Sequence, residues 1–295
     1  MSSDIGADPV SKSLSRSRAR AKARKRLLNA AIAIAAFAVL VVELYPIGIT
    51  VLNGFRRDVI ILSGRPFELS QLTARSYQLI LSNPGFTRAI ANSLVAGLCS
   101  TLVAVLAGGM AAYALSRFRF KGRDALAYSF LVFRMLPQVS LVIALYLMFK
   151  SLGIRDTIFG ISLAHASFNV PYVIWMLLPF FAAVSRSYEE AAMVDGCSRL
   201  GIFFRIFLPI AAPGLVVSAV FAFINSWNEF LYALILTGVR AKTATIAVNG
   251  LLGGDSLTWG QVCAAGTLML VPVFVFTVAM QKFLVRGITA GGVKG

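Results

Sequence analysis

Six long apolar runs leave this chain almost no choice of solvent. They cover Leu27–Leu52, Ala89–Leu115, Ala125–Phe149, Thr157–Val184, Gly214–Leu236 and Val262–Leu284. An apolar run of about 18 residues or more, rising about 1.5 Å per residue, crosses a hydrocarbon core of about 30 Å as a helix. Inside lipid every backbone polar group must find a partner within the protein, and a helix achieves this segment by segment. A β-barrel would show alternating stretches of about ten residues instead. The composition agrees: 58% of residues are hydrophobic and 14% charged, where soluble domains carry about 25% charge. The expected fold is all-α, a polytopic membrane bundle of six transmembrane helices.

The charges then orient the bundle. The chain carries a formal +16, which in a soluble protein would suggest nucleic acid. Here the basic residues follow the apolar runs. With the N-terminus inside, eighteen Lys and Arg fall on the inner segments and nine on the outer ones. The positive-inside rule therefore predicts N-in and C-in, and nucleic acid is not expected as a partner. Residues 1–26 read as a disordered basic cytoplasmic tail that favours anionic membrane lipid, and 27–295 as the membrane domain. The first run is too long for a cleavable signal peptide. Cys99, Cys197 and Cys263 have neither zinc nor disulfide spacing, and no metal site is expected. Asn53–Arg88 reads as an outer loop with turns at Gly64-Arg65-Pro66 and Asn83-Pro84-Gly85. Lys150–Asp156 reads as a tight outer turn, and Thr237–Gln261 as a Gly-rich outer loop.

Polar groups within the runs each need a reason, because a charge at mid-bilayer costs at least about 2.5–3.5 kcal/mol. Glu43 and Arg134 differ in depth by roughly 10 Å along the normal, which argues against a direct pair. His165, the one histidine, has no carboxylate near it in sequence and reads as a packing residue. Gln138, Asn169, Tyr172, Asn225 and Asn228 supply amides and an aromatic face. They either line a solute pathway or bond helix to helix. Pro137, Pro171, Pro179 and Pro272 interrupt the runs, and the small residues of Ala107–Ala112 permit close helix packing.

Between the fourth and fifth runs lies a charged island, Glu190-Ala191-Ala192-Met193-Val194-Asp195-Gly196, closed by Ile206-Phe207-Leu208-Pro209. A helix over Tyr188–Val194 places Glu189 and Glu190 in its first turn, at the positive end of its dipole. Gly196 then lets the backbone turn. A second short helix follows from about Ser198 to Phe207, and Pro209 and Pro213 break the chain before the fifth run. The spacing E-A-A, three residues, G, nine residues, I-x-L-P resembles the EAA loop of permeases in binding-protein-dependent ABC importers. So do Ala112–Phe118, Ser226-Trp227-Asn228-Glu229-Phe230 and the ending Arg286–Gly295, which are similar to carbohydrate-type members, the smaller maltose-type permease above all. The resemblance covers about 27–295, with a family core near 89–285.

That resemblance implies a cytoplasmic coupling helix on which an ATPase docks, through Glu189, Glu190, Ala191, Ala192, Asp195, Gly196, Ile206, Leu208 and Pro209. It implies a second homologous permease, an ATPase homodimer, an extracytoplasmic solute-binding protein and a sugar-like solute. No Gly-Lys dipeptide occurs, so a P-loop is absent. The chain itself is expected to be no enzyme and to bind no cofactor, ATP and Mg being held by the partner ATPase. A polyol or glycerol-phosphate solute fits the same pattern. From another class, an ion-coupled secondary transporter would need mid-membrane coupling residues and an inverted repeat. A non-transporting membrane scaffold is a third reading.

Overall fold

A computed structural model describes the backbone of residues 9–64, 68–253 and 258–292, and the side chains of these except 9–21, 23, 69 and 282–292. The expected turn at Arg65-Pro66 and the last residues of the C-terminal motif lie outside the described residues. Among those described, helix is the only regular structure. Four helices are long and apolar enough to cross a membrane, or six if each of two bent pairs counts as one span.

Residues 1–52 form one compact unit and 53–295 another. The described part of the first unit is helical throughout, in helix α1, Pro9–Gly54, which ends two residues beyond the unit and holds Pro46 in its interior. α1 starts at Pro9, inside the stretch read as a disordered tail. Its apolar residues beyond Arg26 occur on all sides, the pattern of a helix surrounded by lipid or other helices.

The second unit begins with two short helices, α2 (Asp58–Leu62) and α3 (Arg75–Leu81), where an open loop was expected. α4 (Pro84–Arg117) follows. The Asn83 side chain caps it, accepting from Gly85 N at 2.9 Å and Phe86 N at 3.2 Å, with Pro84 in the first turn where its missing N–H costs nothing. The third apolar run is not one rod. It breaks into α5 (Arg123–Met135) and α6 (Gln138–Ser151), bent by 95°. Pro137 sits at the bend, having no N–H to continue the ladder and forcing Leu136 into an extended conformation. α7 (Ile158–Ala183) is continuous despite Pro171 and Pro179.

The island forms α8 (Arg186–Val194), two residues longer at its start than expected. The second expected helix is a composite: α9 (Arg199–Ile202), a π-turn over Phe203–Phe207, and α10 (Leu208–Ile210). An 82° bend at Ala211 leads into α11 (Ala212–Trp227). The fifth apolar run is also split. α11 stops at Trp227, and α12 (Leu231–Leu236) resumes after Asn228-Glu229-Phe230. The last outer loop contains α13 (Ala244–Leu252), and α14 spans Trp259–Gly292 around Pro272.

α4 and α7 make the central contact. Ala96, Ser100, Ala104, Gly108 and Ala112 recur every fourth residue of α4 and are all buried, so one small-residue stripe faces its neighbours. A Cβ on Gly108 would stand 3.0 Å from the Val173 side chain and 3.2 Å from the Val170 carbonyl. Only glycine lets α7 approach this closely. The two helices run parallel, since Arg117 at the end of α4 donates to Phe181 O at 2.8 Å and Val184 O at 2.5 Å at the end of α7. Both carbonyls belong to the helix end, where i+4 donors run out, and Phe181 O also accepts from Val184 N at 3.3 Å. α11 packs against α4, α7 and α14.

At the other end of α7, Asp156 straps two loops together. Its carboxylate accepts from the backbone N–H groups of Gly238 (2.6 Å), Val239 (3.2 Å), Arg240 (3.2 Å) and Ala241 (3.0 Å). Burial disfavours the charged form, but these four bonds outweigh it and hold the Asp156 pKa below its ordinary value. Asn92 of α4 ties the same strand of chain, donating to Arg240 O and Lys242 O at 3.0 and 2.9 Å.

A charged elbow and a cavity between broken helices

α8 lies at the end of the bundle where α4 and α7 both finish. Ser185 caps it, and it ends on a left-handed residue, Gly196, at φ +79°. Gly196 N donates to Met193 O at 3.1 Å and Cys197 N to Ala192 O at 2.9 Å. This is the Schellman pattern, which needs a residue without a Cβ at that position. Gly196 thus ends the helix and turns the backbone, as its place in the sequence suggested.

The faces of α8 divide the island differently from the expectation. Glu189 and Ala192, three residues apart and thus on one face, are buried in the chain's own bundle. Both side chains therefore face the bundle and not the open side of α8. Glu189 Oε1 accepts from the Tyr113 hydroxyl at 3.2 Å. Its Oε2 stands 4.0 Å from Arg117 Nε, and Oε1 stands 3.9 Å from Arg199 Nη1. Arg117 Nε has no hydrogen-bond partner, so its contact with Glu189 is electrostatic only. Around this knot, the rings of Tyr113, Phe181, Phe203 and Phe207 lie 4.8–6.3 Å apart in edge-on and tilted pairs. The Arg117 guanidinium stacks 4.5 Å over Phe207. Phe203 and Phe207 thus enter the bundle, while Phe204 stays exposed.

The opposite face of α8 is open. Glu190, Ala191, Asp195 and Gly196 are exposed, as is Pro209, while Ile206 and Leu208 are half-buried. Tyr188, Met193, Val194 and Leu200 add exposed apolar surface, with Val194 at 88%. An exposed apolar surface beside carboxylates, on a rigidly anchored helix, is the makeup of a contact site.

The second site sits where the breaks of the third and fifth runs meet. A cavity of about 430 Å³ is lined by Phe133, Arg134, Leu136, Gln138, Leu141, Phe168, Ile224, Asn225, Asn228, Glu229, Phe230, Leu231 and Tyr232. Phe168 is the eleventh residue of α7, so the cavity lies about 15 Å along that helix, near mid-membrane depth. Three of the five pathway candidates, Gln138, Asn225 and Asn228, line it. Asn169 does not. It is fully buried and donates to Ala222 O at 3.0 Å, joining α7 to α11. Tyr172 stands behind the wall, its ring 4.5 Å beneath the Arg134 guanidinium.

Glu229 and His165 went unpaired in the sequence reading and are partners in the fold. Glu229 Oε1 accepts from Tyr232 N at 2.7 Å and Oε2 from Ala233 N at 3.0 Å, capping α12 across the break. His165 Nε2 lies 3.3 Å from Glu229 Oε2, and its Nδ1 lies 2.5 Å from Ser226 Oγ. The Nε2 contact is short but too poorly aligned to count as a hydrogen bond. The signal that was available is the rule that an ionisable residue inside a membrane run marks function, with its partner to be found.

Residues 104–290 match the family described as binding-protein-dependent transport system inner membrane component. This chain belongs to that family. It is a permease subunit of the ABC importers and an integral part of the inner membrane. The permease is 33% identical over 266 residues to the trehalose/maltose transport system permease of Thermococcus litoralis, covering 89% of this chain and 95% of that one. It is 36% identical over 229 residues to the trehalose transport system permease of Mycobacterium tuberculosis, covering 77% and 84%. Its fold is similar to a crystal structure of a bacterial ABC transporter involved in the import of the acidic polysaccharide alginate, with a TM-score of 0.73, 23% identity, and coverage of 88% of this permease and 98% of that chain.

Proposed function

We propose that this permease moves a sugar or sugar-like solute into the cell by ATP-driven alternating access, with α8 as the lever. The observation that carries the proposal is the two-faced α8. Its inner face is tied through Glu189 to α4 and α7, and its outer face, Glu190, Ala191, Val194 and Asp195, is free for a partner. The excess of basic residues on the elbow side favours a cytoplasmic position for α8, with N-in and C-in topology. A partner ATPase homodimer, holding ATP and Mg, grips this face. Its closure tilts α8, and the Tyr113–Glu189–Arg117 knot carries the motion into α4 and α7. The bend at Ala211 carries it into α11. Two arrangements of the bundle are thereby biased by one interface. A second homologous permease completes the pathway, and an extracytoplasmic binding protein delivers the solute, as the family's description as binding-protein-dependent supports. The sugar permeases of ABC importers among its relatives favour this reading over an ion-coupled secondary transporter.

The test uses Glu190→Lys and Gly196→Val in the assembled complex. Glu190→Lys reverses charge on the outer face, and Gly196→Val strains the cap at φ +79°. Both should reach the membrane at normal levels, lose co-purification with the ATPase and lose uptake. Normal co-purification and normal uptake in both variants would overturn the proposal.

A further inference from the structure

The cavity between the broken helices contains more hydrogen-bond donors than its walls can use. Arg134, on the last turn of α5, lines it. Among the described residues Arg134 has no carboxylate within ion-pairing distance, and its one recorded contact is the Tyr172 ring beneath it. A planar guanidinium supported on an aromatic face keeps its five N–H donors aimed sideways for a ligand. Gln138 begins α6 at the same wall. The N-cap of α6 is Pro137 and no side chain caps it, so its first amide N–H groups and its positive dipole end add to the donor side. Asn225, Asn228 and Gln138 bring further amides.

The one carboxylate, by contrast, is already engaged. Glu229 is the cavity's one carboxylate, and its two oxygens already take the N–H groups of Tyr232 and Ala233, with His165 against Oε2. It is 9% exposed. A ligand of this cavity therefore meets an Arg134 guanidinium without a carboxylate partner, which favours negative charge, beside amides of Gln138, Asn225 and Asn228 that both donate to and accept from hydroxyls. Phe133, Phe168, Phe230 and Tyr232 supply the aromatic faces that sugar rings stack on.

We infer that this subunit itself binds the transported solute in the cavity, and that the solute is a sugar carrying an acid group (carboxylate, sulfonate or phosphate) read by Arg134. This inference rests on the importer reading above and adds the solute's chemical class and a specificity residue. Arg134→Gln removes the charge and the bidentate fork, while Arg134→Lys keeps the charge alone.

The experiment is uptake by the full importer, with its binding protein, in proteoliposomes. The probes are disaccharide pairs that differ only by the acid group, one pair each for carboxylate, sulfonate and phosphate, alongside ATPase stimulation by the binding protein. One acidic member should be transported at least about tenfold better than its neutral counterpart, a charge-assisted contact being strong enough for that ratio. Arg134→Gln should abolish the preference, with Arg134→Lys intermediate. Preferential uptake of neutral members overturns the inference, as does a preference that Arg134→Gln leaves intact. Uptake of neither class in a complex with normal ATPase stimulation also overturns it. Failure of the importer reading is seen separately, as a chain that recruits no ATPase.

Discussion

Glu189 and Glu190 are adjacent, chemically identical and on the same helix, yet the first is buried and the second exposed, and alanine at each should separate an anchor from the proposed partner contact. At Glu189 the substitution removes the acceptor of the Tyr113 hydroxyl, a bond to a charged group worth about 1.5–3 kcal/mol. The Arg117 contact at 4.0 Å amounts to about 4 kcal/mol before desolvation at an effective dielectric near 20, and most of that is offset by taking both groups out of water. Arg199 is 61% exposed on its side chain, so its share is about 0–1 kcal/mol. Arg117 keeps its two carbonyl bonds at the end of α7 and is not orphaned. The sum is a loss of about 3 kcal/mol for Glu189→Ala. Glu190→Ala on the exposed face should stay within about 0.5 kcal/mol of the parent. Equilibrium unfolding of the purified chain in detergent micelles measures both, beside uptake in cells. Uptake should fall in both variants, in the first from a loosened lever and in the second from a weakened partner contact. Equal unfolding midpoints for the two variants would refute the assignment of anchor and contact.

Two further outcomes follow from the buried polar contacts. Because Asp156 in its strap has a pKa held below its ordinary 3.8, the unfolded chain binds the proton more readily; the strap's stabilisation is complete above that value and drains as pH falls beneath it. Unfolding midpoints followed from pH about 5 downward should fall more steeply in the parent than in Asp156→Asn, and parallel curves would contradict the strap. His165→Ala strips Ser226 of its 2.5 Å partner and leaves Glu229 without its neighbour, which should cost about 1–3 kcal/mol in the same unfolding assay. An unchanged midpoint would mean that the contact contributes nothing.

Much of this permease is legible along the chain because its causes are local. The apolar runs mark the spans, since backbone desolvation acts on each segment separately. Gly196 announces a C-cap through its own conformational freedom, whereas Asn83, read as part of a turn, proves to be the N-cap of α4. The E-A-A spacing locates α8 to within two residues. Length and hydropathy do not, however, reveal that the third and fifth runs break. Pro137 was visible, but a proline inside a helix kinks it only where neighbours accept the freed groups, and Pro171 and Pro179 leave α7 continuous. The break at Asn228–Phe230 carries no proline at all, and rests instead on Glu229 capping α12.

What the sequence by itself determined is the solvent, the number of apolar runs, the place of the elbow and the family. The tertiary structure alone decided which way each polar group faces. Glu189 turns inward because Tyr113 and Arg117, more than seventy positions earlier, come to the same end of the bundle. His165 meets Ser226 across 61 positions, and Gln138, Asn225, Asn228 and Arg134 share one cavity while Asn169 joins two helices. Local preferences act over one helical turn. Ion pairs, interhelical bonds and cavity walls depend on which distant turns the packing of α4, α7 and α11 brings together.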